Sequence, residues 1–174
     1  MKKILYSLNP QEYPNIEMDF IVTTAVDSLQ FTSPEVINAQ KTVPVHAVQA
    51  QADVEVVTQP RVEVEGKLYY IEETKNVAQA GDWIVTNPDG EQYVVSATKF
   101  PAKYSDIGNG QFVPTEGPKT FQQTTDNVCF KASWGATQFV TAGSYICTAY
   151  GPGEEYGVSN FAFDKTYEIQ TPTM

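Results

Sequence analysis

Apolar residues along this chain stand mostly in short β-branched and aromatic runs or alternate with polar residues. The run DWIVT (Asp82–Thr86) and the run SYICT (Ser144–Thr148) are two examples. Runs of this kind that are bounded by turn residues predict strands. Long helical periodicity is missing, although SPEVINAQK (Ser33–Lys41) fits a short helix with Ser33 as its cap and Pro34 at its first position. The pattern therefore predicts a mainly β fold.

Two segments of the chain carry nearly the same series of residues. When Gly81 is aligned with Gly143, and one extra residue is allowed in the second turn, residues 80–104 match residues 142–167 at eleven positions. The matched pairs are Ala80/Ala142, Gly81/Gly143, Ile84/Ile146, Thr86/Thr148, Gly90/Gly153, Glu91/Glu154, Tyr93/Tyr156, Val95/Val158, Ser96/Ser159, Phe100/Phe163 and Tyr104/Tyr167. Self-similarity at a period of about 63 residues predicts an internal repeat.

Each copy has the features of a hairpin followed by one helical turn. Pro88 and Gly90 suit a tight turn, because proline presets φ and glycine takes a positive φ without strain. Ser96 and Ser159 stand where the N-cap of a helical turn would lie. The Phe and Tyr that end each matched series are four residues apart, so we expect them to share one side and pack on the hairpin.

Four parts are predicted from this repeat. They are an N-terminal segment (1–44), a first β unit (45–107), a linker with several glycines and prolines (108–117) and a second β unit (118–174). The repeat extends upstream, since VQAQADVEVV from Val48 is similar to FQQTTDNVCF from Phe121. The N-terminal segment is either a degenerate third copy or an unrelated arm, and the sequence leaves both open.

The charge and composition of the chain exclude several classes of function. Eleven basic residues face 21 acidic ones, for a net charge of −10. An acidic surface argues against nucleic-acid binding and against docking on anionic membranes. No apolar run is long enough to span a membrane, and the run after the first lysines ends at Asn9 and Pro10, too early for a signal peptide. Cys129 and Cys147 fit buried free thiols better than a disulfide, so we expect a cytoplasmic protein.

Residues suited to catalysis are few. His46 is the only histidine and lies in an alternating, strand-like segment, so any Ser-His-Asp or Cys-His arrangement would depend on it. The His and Cys spacing matches no zinc pattern. Carboxylates are plentiful, but nothing in the sequence pairs two of them as a hydrolase requires. We therefore expect no catalytic residue, no cofactor and no metal.

Five residues are candidates for binding contacts. Glu91 and Glu154 each follow a turn glycine, which fits either a hydrogen bond to turn amides or a ligand contact made in both units. Trp134, Tyr69 and Tyr70 lie in predicted hairpins, where one residue of two must face outward, and exposed aromatic residues anchor interfaces. We expect a groove between the N-terminal segment and the two units, with one of these aromatic residues as its anchor.

The segment AGDWIVT, followed by NPDGEQYVV and then by Phe and Tyr, resembles a motif of poorly characterised phage, prophage and bacterial proteins. Ala80 stands where those proteins often have proline, and the Trp134-Gly135 hairpin before Ala142 and Gly143 is similar to their companion half. The resemblance covers about residues 45–170. Its matched residues belong to turns and core, so it implies a structural module and no transferable activity.

The residues and this resemblance together suggest a non-enzymatic binding module of phage or prophage type, located in the host cytoplasm if a phage encodes it. It would hold a protein partner or a small ligand between its repeats, and a homo-oligomer is compatible with it. Two alternatives stay open: a structural virion or assembly component, and a carboxylate-based hydrolase acting on a sugar or nucleotide.

Overall fold

The computed structural model describes residues 1–170 and confirms the mainly β prediction. The strands in chain order are β1 (Lys2–Ser7), β2 (Ile16–Asp19), β3 (Ile21–Val22), β4 (Ile37–Lys41), β5 (Val45–Gln49), β6 (Val54–Thr58), β7 (Arg61–Val64), β8 (Lys67–Tyr70), β9 (Thr74–Ala78), β10 (Trp83–Thr86), β11 (Gln92–Val95), β12 (Tyr104–Gly108), β13 (Gln111–Pro114), β14 (Lys119–Gln123), β15 (Val128–Lys131), β16 (Thr137–Val140), β17 (Tyr145–Cys147), β18 (Tyr156–Val158) and β19 (Tyr167–Ile169). The helices are a 3-10 helix (Asp27–Phe31), α1 (Phe100–Lys103) and α2 (Asn160–Thr166). None of these helices is long and apolar enough to cross a membrane.

Two five-stranded antiparallel sheets share one plan. The first sheet has the order β11-β10-β5-β13-β12, and the second sheet has the order β18-β17-β14-β4-β19. Their pairing registers also correspond: Trp83 pairs with Val95 and Gln49, and Tyr145 pairs with Val158 and Gln123. The same register places Ala47 at the position of Phe121, one residue away from the alignment that the sequence suggested. The origin of this likeness by duplication stays a prediction.

A hairpin followed by a short helix is present in both sheets. Gly90 has φ +91° in the β10–β11 turn, a conformation that residues with a Cβ rarely adopt. Ser159 Oγ accepts a hydrogen bond from Ala162 N at 3.2 Å and so caps α2, while Ser96 Oγ accepts a longer one of 3.3 Å from Lys99 N before α1. The local turn and cap chemistry was therefore readable from the sequence.

The fourth strand of each sheet comes from a different part of the chain. In the first sheet it is β13, which lies within residues 108–117 and pairs with β5 and β12, so the segment predicted to be a linker contributes a strand. In the second sheet it is β4, from the N-terminal segment, which pairs with β14 and β19. The short helix expected over Ser33–Lys41 is wrong, because Ser33 N donates to Gln123 O at 2.8 Å and the chain continues as a sheet strand.

Three smaller sheets complete the described chain. Strand β1 joins β2 to β8 and β7 in a four-stranded sheet, β15 pairs with β16 and β3, and β6 pairs with β9. The β7–β8 hairpin is inserted between β6 and β9, whereas β15 and β16 follow one another directly. The insertion brings β7 against α2 of the second sheet.

Stacked aromatic rings lie in the hydrophobic core that packs on each five-stranded sheet. Phe100 lies between Trp83, with ring centroids 4.2 Å apart, and Tyr104, at 5.0 Å. Phe163 lies in the same way between Tyr145, at 3.7 Å, and Tyr167, at 5.1 Å. Both phenylalanines are 2% exposed. The rings of Tyr104 and Tyr167 are thus each held against a buried phenylalanine.

Cys129 and Cys147 are both buried free thiols. They belong to different core clusters, Cys129 with Leu5 and Phe20, and Cys147 with Phe121 and Phe163. The expectation of free thiols rather than a disulfide is met.

Candidate functional site

The three aromatic residues predicted as anchors lie in separate places. Trp134 is 60% exposed in the β15–β16 turn. Tyr70 is half-buried, with its ring stacked on that of Tyr6 at 5.3 Å. Tyr69 is 3% exposed and packs in the core with Leu5, because neighbouring residues of β8 face opposite sides. Tyr69 therefore cannot serve as a surface anchor, and the structure does not gather these three side chains into one groove.

A cleft lined jointly by the first and second sheets is the strongest candidate site. It has two compartments that share Lys41 and Tyr167. The larger compartment, the charged cavity, has a volume of about 300 Å³ and is lined by Arg61, Glu91 and parts of β16, β18 and α2. The smaller compartment, the tyrosine–lysine pocket, has a volume of about 210 Å³.

The inserted β7 strand is fixed to α2, and this attachment positions Arg61. Ser159 Oγ donates to Arg61 O at 2.6 Å. Asn160 pairs with the backbone of Glu63 in both directions, since its Nδ2 donates to Glu63 O at 2.8 Å and its Oδ1 accepts from Glu63 N at 3.1 Å. The start of β7 is thereby held at the edge of the charged cavity.

The guanidinium of Arg61 lies against the β10–β11 turn. Its Nη1 donates to the main-chain oxygen of Asp89. A Cβ on Gly90 would collide with this nitrogen, so the absence of a side chain there is what admits the guanidinium. Glycine at position 90 thus serves both the turn conformation and the placement of Arg61.

Two buried polar atoms at this turn have no hydrogen-bond partner within residues 1–170. They are Arg61 Nε and Asp89 Oδ2. The other carboxylate oxygen of Asp89 accepts from Glu91 N at 2.9 Å. A buried polar atom left without a partner costs about 1–3 kcal/mol, so native proteins rarely keep one. A group that accepts a hydrogen bond from Arg61 Nε or donates one to Asp89 Oδ2 would therefore stabilise the turn.

Burial perturbs the pKa of two ionisable groups that line the charged cavity, Glu91 and Lys41. It raises the pKa of Glu91 to about 7, with help from Asp89 and against the opposing effect of Lys41 and Arg61. Burial also lowers the pKa of Lys41, although Glu91 and Asp89 partly oppose this. Near neutral pH, Glu91 can therefore either donate or accept a hydrogen bond.

Glu154, the sequence match of Glu91, is exposed and lines neither compartment. The bond to a turn amide is made by other carboxylates: Glu155 Oε1 accepts from Gly153 N at 2.7 Å, and Asp89 fills that role in the first sheet. Glu91 is thus free of the structural task that the sequence offered as one explanation for it. Of the two matched glutamates, only Glu91 lies in the candidate site.

The tyrosine–lysine pocket is lined by tyrosine rings and ammonium groups. The hydroxyl groups of Tyr93 and Tyr104 are hydrogen-bonded at 2.7 Å, and Lys119 forms an ion pair with Glu116. Burial raises the pKa of Tyr93, of Tyr104 and, to about 12, of Tyr167. All three phenols are therefore uncharged hydrogen-bond donors at neutral pH.

Sequence reasoning identified Glu91 but missed Arg61 and Lys41. Lys41 pairs with Tyr167 in the second sheet as Pro114 pairs with Tyr104 in the first. Because β4 lies far before β19 in the chain, an alignment of the two similar segments did not reveal this correspondence. The available signal was a basic residue, Lys41, at the position that corresponds to Pro114 of the first sheet.

Comparison of the chain with protein-family models, with curated proteins and with solved structures finds no match.

Proposed function

We propose that this chain is a non-enzymatic binding module of phage or prophage type that holds a small polar ligand between its two five-stranded sheets. The phage or prophage attribution comes from the sequence motif alone. The choice of a small ligand, rather than a protein partner, comes from the cleft, because the aromatic residues expected to anchor a protein do not form one surface.

One observation carries the proposal: Lys41, Arg61 and Glu91 line a single cavity, and no ion pair joins any of them within residues 1–170. All three side chains are at least partly buried. Charged groups withdrawn from water are normally paired, because desolvation is costly. A ligand that offers an acceptor to the two cations and a polar group to Glu91 would supply the missing interactions.

The carboxylate composition of the cavity favours binding over hydrolysis. Hydrolysis of a glycosidic bond by two carboxyl groups requires them on opposite sides of the scissile bond. In the described part of the chain, Glu91 is the one carboxylate that lines the charged cavity. Asp89 lies in the same turn, and its Oδ1 is bound to the backbone of Glu91 rather than placed across the cavity.

A screen of small metabolites for increases in melting temperature tests the proposal, and titration calorimetry then gives the Kd of each hit. Glu91→Gln is the test variant, and Glu154→Gln is its matched control, because that glutamate is exposed outside the cleft. Since hydrogen bonds to charged groups contribute about 1.5–3 kcal/mol, Glu91→Gln should change Kd by about tenfold or more. Glu154→Gln should leave Kd unchanged.

Two results would contradict the proposal. One is a screen in which no compound stabilises the protein. The other is a set of hits whose Kd values do not respond to Glu91→Gln or to Lys41→Met. Light scattering after size-exclusion chromatography addresses the virion alternative, since a ring or larger assembly would favour a structural component.

A further inference from the structure

The tyrosine–lysine pocket concentrates positive charge in an otherwise acidic chain. Three ammonium groups, those of Lys41, Lys103 and Lys119, line it together with a single carboxylate, that of Glu116. Glu116 is paired with Lys119. Within residues 1–170, neither Lys41 nor Lys103 has a carboxylate at ion-pairing distance. The pocket therefore has a local positive excess although the net charge of the chain is −10.

A concave site with charge of one sign focuses its electric field and attracts an ion of the other sign. The effect is stronger for the half-buried Lys41 than for the exposed Lys103, because charges withdrawn from water interact more strongly than exposed ones. An anion placed between these lysines would pair two ammonium groups that the chain leaves unpaired.

The walls of the pocket are flat and held in place. Tyr104 stacks on Phe100 with 22° between the ring planes, and Tyr167 stacks on Phe163 with 8°. Both phenylalanines are buried, so the tyrosine rings are backed by the core. Aromatic rings of this kind favour a flat apolar group in contact with them.

The pocket also offers a hydroxyl donor. The Tyr93 hydroxyl has two acceptors within reach, Tyr104 Oη at 2.7 Å and Asn87 Oδ1 at 3.3 Å, and in the shorter contact either hydroxyl can donate. When Tyr93 donates to Tyr104, the proton of Tyr104 is free to bond an acceptor in the pocket. A bound anion would favour that arrangement.

We propose that the tyrosine–lysine pocket binds a small aryl carboxylate or aryl phosphate, with the anionic group between Lys41, Lys103 and Lys119 and the ring against Tyr104 and Tyr167. This assignment rests on the proposed binding function and names the ligand class for one compartment of the cleft. The pocket has a volume of about 210 Å³. That is below the range of about 300–1,000 Å³ typical of drug-sized ligands, so the ligand is a single substituted ring.

Four probes separate the contributions of charge and ring: phenyl phosphate, benzoate, inorganic phosphate and benzyl alcohol. Their binding is measured by ligand-observed NMR and by titration calorimetry at low ionic strength. Phenyl phosphate and benzoate should bind, inorganic phosphate should bind more weakly, and benzyl alcohol should bind most weakly because it lacks the charge. Binding of phenyl phosphate should weaken as salt is added.

Lys103→Met is the primary variant, because Lys103 is exposed and its replacement does not disturb the core. Lys165→Met is the matched control, since each lysine stands in the last turn of its short helix but Lys165 lies outside both compartments. Lys103→Met should weaken phenyl phosphate binding about fivefold. Lys41→Met should weaken it about tenfold or more. Lys165→Met should have no effect.

The assignment is overturned if none of the four probes binds, or if Lys103→Met and Lys165→Met give the same Kd for phenyl phosphate. Equal binding of phenyl phosphate and benzyl alcohol would also overturn it. Failure here is distinguishable from failure of the proposed function, because Lys103 does not line the charged cavity. A screening hit that depends on Glu91 but not on Lys103 would preserve the binding function and refute the aryl anion.

Discussion

Replacing Glu91 by glutamine should remove a pH dependence from the stability of the protein. Burial, with Asp89 nearby, raises the pKa of this carboxyl from 4.5 to about 7 in the folded chain, while Lys41 and Arg61 oppose the rise. In the unfolded chain the carboxyl is hydrated and titrates near its ordinary value. Glutamine is close in shape to the protonated carboxyl but has no proton to release in this range.

The direction of this pH dependence follows from the number of protons that the folded and unfolded states bind. Between pH 4.5 and about 7 the folded state holds a proton on Glu91 that the unfolded state has released, so raising the pH favours unfolding. The contribution of Glu91 is neutral below pH 4.5, becomes unfavourable as pH rises, and is constant above about pH 7. Since each pKa unit corresponds to about 1.4 kcal/mol, the full effect is about 3 kcal/mol.

The measurement is the free energy of unfolding in denaturant at several values between pH 4.5 and 8, for wild type, Glu91→Gln and Glu154→Gln. Near pH 4.5 the difference between Glu91→Gln and wild type should be small. At pH 8 Glu91→Gln should be the more stable by up to about 3 kcal/mol. Glu154→Gln carries the same chemical change on an exposed residue, so its difference from wild type should stay flat.

Parallel curves for wild type and Glu91→Gln would refute this reasoning. A loss of stability on Glu91→Gln at pH 8 would refute it more strongly, because it would show that Lys41 and Arg61 hold the carboxylate charged. The charged cavity would then contain a functioning ion pair, and the case for a ligand supplying the missing partner would weaken.

Three further predictions concern packing and exposure. Phe100→Ala and Phe163→Ala should each lower the free energy of unfolding by about 3–5 kcal/mol in denaturant melts, because each ring is buried between two others; a loss under ~0.5 kcal/mol would place the rings at the surface. Cys129 and Cys147 should react with a thiol reagent only after denaturant is added, and labelling of either in the native protein would contradict their burial. Trp134→Ala should change stability by less than ~0.5 kcal/mol, since the side chain is 60% exposed, and a larger loss would reveal packing in the β15–β16 turn.

The elements that the sequence predicted are those whose signals are local. The hairpin turn at Gly90 and the cap at Ser159 depend on residues within a few positions of one another, and both appear as expected. Strand β13 was interpreted as a linker because glycines and prolines flank it, as they do many loops. In the structure Asn109 and Gly110, both with positive φ, form the turn of the β12–β13 hairpin. The helix-start signal at Ser33 and Pro34 lies just before β4, and pairing of β4 with β14 and β19 overrides it.

The candidate site was only partly predictable, because local signals mark some of its residues and distant strand pairing brings in the others. Glu91 stood out because a glutamate follows a turn glycine in both of the similar segments, 80–104 and 142–167, and this feature is local. Lys41 and Arg61 have no such mark, and they meet Glu91 only because β4 joins the second sheet and the inserted β7 is bound to α2. The tyrosines of the pocket were expected in the core, and Tyr104 and Tyr167 do pack on it with one side while the other lines the pocket.

The use of β4 in the second sheet sets the order in which a growing chain can fold. Every strand of the first sheet lies between residues 45 and 114, so that sheet can form while later residues are still being synthesised. The second sheet must wait, because β4 (Ile37–Lys41) is made early and its neighbour β19 ends only at Ile169. Pairing across such a sequence separation slows folding. On the ribosome, β4 is therefore an unpaired strand until its partners emerge, and a permuted chain that places it directly after β19 should close the second sheet faster.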